Sequence, residues 1–429
     1  MRFLKNELRQ LRSSSLARNA GWIFLGQGTS ILCQGAYFVL LARLLGATEY
    51  GIYAGVFSMV TVLSAYSTLG SQFTLLRHVS PFPESFALYW GNVLVTTFTL
   101  GSLFVGFLVW TVPHLAHSYS WRLVMCAAAG DCLCVQLTDA SSRVFQAFER
   151  MQTTAFLSLL TNLVRTLLAG FLLWRLHHST AQQWVVATLT VSFITAGLAV
   201  ALVTRRYGKP AFSLRLLRRR SGEGLVFAVS GSTAGIFNNF DKALLGHYGM
   251  NVANGIYTMA YRVVDICTMP MNSIHAAAFP RFYRKGSGGI HDTTAYALRI
   301  LKRTGPLAIF LVVTMALAAP MIPYLVGKSF SDSVLALRLL CLLPLFRSFQ
   351  YSAGDALTGA GRQKLRLGVQ VAAAAFNFGL NLYWIPQFGW RGAAWSSLVT
   401  DGLLGISNWA VLLTVRARGP KLLLPARQM

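Results

Sequence analysis

The chain carries twelve apolar runs, each near the roughly 20 residues a helix needs to cross the hydrocarbon core of a bilayer. They cover 20–41, 52–69, 86–112, 123–140, 155–173, 184–203, 225–245, 255–278, 306–325, 334–357, 368–385 and 393–415. No water in the bilayer core satisfies an exposed backbone, so only helices and closed barrels span it. Barrel strands would be shorter and would alternate apolar with polar residues. These runs do neither, and the predicted fold is an all-α integral membrane protein of about twelve transmembrane helices.

Charge placement supports that reading. Apolar residues make up 54% of the chain and charged residues only 12%, against about 25% in soluble domains. A disordered chain is excluded, and a soluble nucleic-acid binder is disfavoured. The net charge is +25, but the bases cluster between the apolar runs. If the amino terminus faces the cytoplasm, 28 of the 38 Lys and Arg fall in inward-facing segments and 6 in outward-facing ones. The other four, Arg165, Arg262, Arg338 and Arg347, lie within spans. The positive-inside rule then predicts that both termini are cytoplasmic, in the cell's inner (cytoplasmic) membrane. Much of the charge serves topology and contact with anionic membrane lipids, at about 1 kcal/mol per base near the surface. The first 18 residues read as a basic, weakly amphipathic helix and not as a cleavable signal. Cys33, Cys126, Cys132, Cys134, Cys267 and Cys341 all fall within spans and read as small packing residues.

A basic segment, 204–223, divides the spans six and six. The expected domains are a six-helix lobe over 1–203, the basic cytoplasmic linker, and a second lobe with a cytoplasmic tail over 224–429. An internal repeat agrees. Arg43-Leu44-Leu45-Gly46 precedes Gly51-Ile52-Tyr53, and Ala243-Leu244-Leu245-Gly246 precedes Gly255-Ile256-Tyr257. At a constant offset of 212, Phe148-Glu149-Arg150 aligns with Ala360-Gly361-Arg362 and Arg165 with Asn377. Each half has an even number of spans, so the repeats are parallel, and transporters of that kind bind substrate between their halves.

Several of these residues also carry a family resemblance. Ala42 to Gly46 with Glu49-Tyr50-Gly51-Ile52-Tyr53 resembles the first periplasmic connection of polysaccharide flippases. Those belong to the multidrug/oligosaccharidyl-lipid/polysaccharide exporter superfamily. Phe145 to Arg150 is similar to that family's link between its fourth and fifth helices, and Asn377, Asn381, Ile385-Pro386, Gly389 and Gly392-Ala393-Ala394 to its eleventh-helix segment. The resemblance implies two six-helix lobes around a central cavity. It also implies translocation of an undecaprenyl-diphosphate-linked oligosaccharide from the inner to the outer leaflet.

An ionisable residue at membrane depth costs about 2.5 kcal/mol or more, so it faces a cavity or a partner. Arg165 in span five has no acid within a turn of its own helix. Arg262 and Asp265 share a face of span eight. Arg347 is central in span ten, with Asp355 further along. One reading makes Arg165, Arg262 and Arg347 a basic cavity for the lipid diphosphate, since the guanidinium fork pairs bidentately with phosphate. Arg43 at the outer end of span one, Asn238 and Asn377 are further candidates for substrate contact. Asp131, Asp265, Asp355 and Asp401 are candidate coupling acids. The competing reading is internal pairing, Arg262 with Asp265 and Arg347 with an Asp of span four or twelve.

No cofactor, metal or nucleotide site is expected. Gly327-Lys328-Ser329 lacks the upstream glycine of a phosphate loop, where Ile322 stands, and His114 and His117 have no carboxylate nearby. Energy must come from gradients or from downstream consumption. The expected partners are the lipid-linked glycan, membrane lipids and glycan polymerase machinery, with no nucleic acid. A multidrug cation antiporter would favour an acidic, aromatic cavity. A glycosyltransferase, O-antigen polymerase or ligase would need sizeable outer loops with catalytic groups, whereas the only outer-loop acids here are Glu49 and Asp332. The chain is therefore read as a transporter and not an enzyme, with O-antigen, capsule, exopolysaccharide and teichoic-type glycans all open. The loop bias predicts that reporter fusions at Gly208 and Gly286 report cytoplasm and fusions at His117 and Gly249 the outside. Inversion at two of these sites would break the span assignment.

Overall fold

The computed structural model describes residues 15–116 and 118–418, with side chains from 33 onward apart from those of 230, 231, 233, 234, 236 and 237. Most of the basic amino-terminal segment, His117, Lys421 and Arg427 lie outside the described residues. Each apolar run is helical over most of its length, and no strand occurs among the described residues. Spans one and two form Ser15–Ser64, kinked where Gly46 takes φ 66°. The later spans are Pro83–Leu115, Trp121–Ala147, Met151–Leu176 and Ala181–Tyr207, then Leu214–His247 and Asn251–Gly286, and finally Ile290–Val326, Ser333–Gly359, Gln363–Phe388 and Trp390–Arg418. Seven of these are individually long and apolar enough to cross a membrane.

The helix starts follow local chemistry. Thr180 and Gln183 form a reciprocal capping box at span six. The Ser120 and Ser213 hydroxyls accept from the amides of Leu123 (3.2 Å) and Leu216 (3.3 Å) at spans four and seven.

Span two departs from its expected course. Its helix ends at Ser64, turns through Leu69 and Gly70 at positive φ, and resumes as Ser71–Val79. The basic segment 204–223 is also more ordered than a linker. Helix occupies both its ends, and only 208–213 is non-helical. The Ala211 amide donates to Ala87 O (2.8 Å) and the Ser213 amide to Asn92 Oδ1 (3.0 Å), which fastens the strap to span three.

Contacts divide the chain into two units, Met1–Asn254 and Gly255–Met429. In the first, span seven packs along spans one and two. Backbones meet there closely enough to demand glycine. A Cβ on Gly70 would lie 2.0 Å from Gly224 O, and one on Gly246 would lie 2.2 Å from the Tyr119 hydroxyl and 3.3 Å from Gly55 Cα. The start of span seven is tied to span two by Glu223, which accepts from Arg77 (2.8 Å), His78 (3.2 Å) and Arg220 (3.4 Å). Burial raises the Glu223 carboxyl, but His78 and the two guanidinium groups outweigh it and hold the carboxyl below its usual range. This tie is complete above the ordinary carboxylate range and fades as pH falls through that lowered value.

Each unit has its own apolar core, and the two are built alike. In the first, Leu75, Trp90, Val144 and Val203 bring together spans two, three, four and six. In the second, Phe282, Ile300, Leu357 and Trp409 bring together spans eight, nine, ten and twelve. A buried indole crosses helices in both: Trp90 donates to the Thr204 hydroxyl (3.3 Å) and Trp409 to Phe349 O (2.9 Å).

The offset-212 match is a matched turn. The Phe148, Glu149 and Arg150 amides donate to Val144, Gln146 and Phe145 carbonyls, and the Ala360, Gly361 and Arg362 amides to Ala356, Thr358 and Leu357. Glu149 has φ 56° and Gly361 φ 73°. A left-handed backbone costs an L-residue about 1–2 kcal/mol, so the first copy of the turn is strained where the second is not. Glu149→Gly is therefore expected to stabilise the protein by about 1 kcal/mol in chemical denaturation, and Gly361→Ala to destabilise it by about as much. Loss of stability in Glu149→Gly would refute the equivalence.

Candidate functional site

In the first unit, polar side chains of spans four, five and six converge on a cavity of about 180 Å³. Span four supplies Val135, Thr138, Asp139 and Ser142, span five Ser158, Thr161, Asn162 and Arg165, and span six Ser192 and Thr195. Span four is itself irregular. Its turn Gly130–Val135 is a π-helix, a widening that recurs at functional sites. It carries Asp131, which is buried and accepts from the Thr61 hydroxyl (3.4 Å). Arg165 Nη2 donates to Ser192 Oγ (3.1 Å), and its buried Nε has no hydrogen-bond partner in the protein. Asp131 and Asp139 both lie within electrostatic reach of Arg165. Asp139 is exposed and lines the cavity.

The second unit uses its charges differently. Arg347 of span ten is buried. Its Nη1 donates to Asp265 Oδ1 (3.2 Å) and its Nη2 to the Tyr261 hydroxyl (2.8 Å), while Nε lies 3.8 Å from Asp401 Oδ2. Asp265 thus meets Arg347 across the helices, in place of the expected same-helix pairing with Arg262. Arg347 pairs with span twelve as the internal-pairing reading expects. Asp355 is buried between Arg366 (3.2 Å) and His275 (3.4 Å), and Arg366 also donates to the Thr358 hydroxyl (2.8 Å). Asn377 belongs to a polar network of spans eleven and twelve. It is buried, donates to Thr400 (3.0 Å) and accepts from Asn381 (2.8 Å), and Ser396 closes the network by donating to Asn381.

Arg262 is half-buried in span eight, and Arg43 and Asn238 are exposed. The Asn238 backbone carbonyl accepts from Lys242, which sits 3.6 Å from Asp241 in a buried pair. Arg165 thus lies at the cavity of the first unit and Arg347 among acids of the second. The hydroxyls around Arg165 and the imidazole of His275 escaped the sequence reading. Ser and Thr are common within spans, and a lone His in an apolar helix carries no periodic signal. No group of three His, Cys, Asp or Glu suited to a metal exists among the described residues.

Removing one member of a buried ion pair strands the other charge, at a cost of about 3–5 kcal/mol. Arg347→Met is expected to destabilise the protein by about that much, and adding Asp401→Asn and Asp265→Asn should recover most of it. Denaturation of the purified variants measures this, and a stable Arg347→Met would show that the cluster is not structural.

Comparison with known proteins places this geometry. Residues 16–285 match the family described as polysaccharide biosynthesis protein. An uncharacterized membrane protein of Methanocaldococcus jannaschii is 26% identical over 195 residues, 43% of this chain and 37% of that protein. The chain thus matches little more than a third of that relative's length. An inward-facing multidrug resistance MATE family transporter of the MOP superfamily superposes with a TM-score of 0.74 at 15% identity, covering 91% of this chain and 95% of that one. A MOP superfamily transporter from Pyrococcus furiosus, described as having a binding pocket of reverse polarity, gives 0.63 at 14% identity, covering 94% and 95%. The chain shares the fold of twelve-helix, two-lobed membrane transporters. The chain belongs to the polysaccharide biosynthesis protein family.

Proposed function

We propose that the protein is a flippase that moves an undecaprenyl-diphosphate-linked oligosaccharide from the inner to the outer leaflet during polysaccharide biosynthesis. The observation that carries this reading is the family match over 16–285. A polar cavity within spans four to six, with an arginine whose Nε lacks a partner, supports it. The membrane is the cell's inner membrane, with both termini cytoplasmic, as the loop charges require. Glycan polymerase machinery then consumes the product.

The residues divide the work. Arg165 contacts substrate. Arg43, Arg262 and Asn238 are candidates for the headgroup along the path. Arg347 and Asn377 are committed to packing in the second unit, and Asp355 is neutralised by Arg366. In the second unit Arg347 alone meets two carboxylates, Asp265 and Asp401. The surplus carboxylate at membrane depth must take a proton or a cation. That supports coupling to H⁺ or Na⁺ through Asp401. The membrane potential helps as well, since about two diphosphate charges crossing 100 mV gain roughly 4–5 kcal/mol outward.

The same surplus acid favours a second reading, a multidrug cation antiporter; structural neighbours are described as multidrug resistance MATE family transporters. Deleting the gene in its host and measuring surface glycan and drug tolerance separates the two. The flippase reading expects glycan to be lost, Arg165→Ala to lower export about tenfold with normal membrane insertion, and Arg165→Lys to restore part of it. Unchanged glycan with altered drug tolerance would replace it by the antiporter.

A further inference from the structure

We infer that the cavity between spans four, five and six is a sugar subsite. It takes one neutral pyranose residue of the lipid-linked glycan through its hydroxyl groups, and it excludes the diphosphate. The inference rests on the flippase reading and deepens it.

Size sets the first limit. Drug-sized ligands occupy pockets of about 300–1,000 Å³, lined mainly by apolar and aromatic groups. This cavity has about 180 Å³, and nine of its ten lining side chains are polar, with Val135 the exception. At about 30 Å³ per water it has room for roughly six waters, or for a single sugar ring. No aromatic side chain lines it, so its ligand needs no flat apolar face.

Charge sets the second. A phosphate drawn to Arg165 would meet the carboxylate of Asp139 in the same cavity. A metal cation drawn to Asp139 would meet the guanidinium. A neutral polyol suits both, donating to Asp139 and accepting from the Arg165 guanidinium.

The hydroxyls set the third. Those of Thr138, Thr161 and Thr195 already donate to the carbonyls of Cys134 (2.9 Å), Leu157 (2.9 Å) and Ser192 (3.1 Å). They offer the cavity lone pairs only. Three acceptor-only hydroxyls and a carboxylate, beside the Arg165 guanidinium and the hydroxyls of Ser142, Ser158 and Ser192, call for a ligand that carries both O–H donors and acceptors. A sugar ring is that ligand.

The test uses the full chain in lipid nanodiscs and a panel of neutral methyl glycosides, among them glucoside, galactoside, mannoside, rhamnoside and N-acetylglucosaminide. Saturation-transfer NMR is expected to show saturable binding of at least one of them. Asp139→Asn, which keeps the shape of the side chain, should weaken it at least tenfold, and Thr161→Val should weaken it less. Asp332→Asn in the second unit should leave it unchanged. Sodium and inorganic pyrophosphate serve as competitors. Silence across the panel, equal binding in Asp139→Asn, or displacement by pyrophosphate or sodium would each overturn the subsite, the last two by making the cavity an anion or cation site. Glycan export after gene deletion is a separate readout. Lost export with silent glycosides removes the subsite and leaves the flippase standing, whereas glycoside binding with unaffected export refutes the lipid-linked substrate.

Discussion

A charge inside a helical membrane bundle has no water to fall back on. Each ionised group must find an opposite charge, a ring of hydroxyls or a wet cavity, and the helices must arrange themselves to provide it. Arg347 meets this demand with two carboxylates and a tyrosine hydroxyl from spans eight and twelve. Asp355 meets it with Arg366 and His275 from spans eleven and eight. These contacts link helices that the apolar pattern alone would leave free to rotate about their axes. The apolar stripe of a membrane helix is broad and nonspecific, whereas a guanidinium meets two acids in few geometries.

The same demand is met differently in the first unit. Arg165 is shared among Ser192, two acids at longer range and open space. The π-turn in span four places Asp131 among side chains of span two, at the cost of regular helix geometry. A site whose polar groups are incompletely satisfied is a poor stabiliser but a ready host for ligand. One unit thus holds a closed ionic cluster and the other an open polar cavity.

A common plan shows in the turns. The 148–150 and 360–362 junctions share the same hydrogen bonds and the same left-handed residue, filled by Glu149 in one and Gly361 in the other. Glycine performs a second service where span seven meets span two, because Gly70, Gly224, Gly55 and Gly246 let backbones approach without a side chain between them. Close approach at small residues is the usual means of helix association where lipid removes the hydrophobic drive.

The helical membrane class, the number of spans and the family resemblance were legible in the chain itself. The bilayer thickness imposes a run length of about 20 residues, and that length is one-dimensional information. The 212-residue offset was legible too, since a turn needing a left-handed residue leaves a local mark. Charge partnership was not. Arg262 and Asp265 lie three residues apart, yet Asp265 joins Arg347, 82 positions away. Helix rotation and register decide such pairings, and no local spacing encodes them. The break in span two, the fastened strap at 208–213, the acceptor-rich cavity around Arg165 and the burial of His275 likewise came only with the packed helices. Each depends on which faces of separate helices meet, and the apolar pattern of a membrane span, hydrophobic on nearly every side, leaves those faces unspecified until tertiary contacts select them.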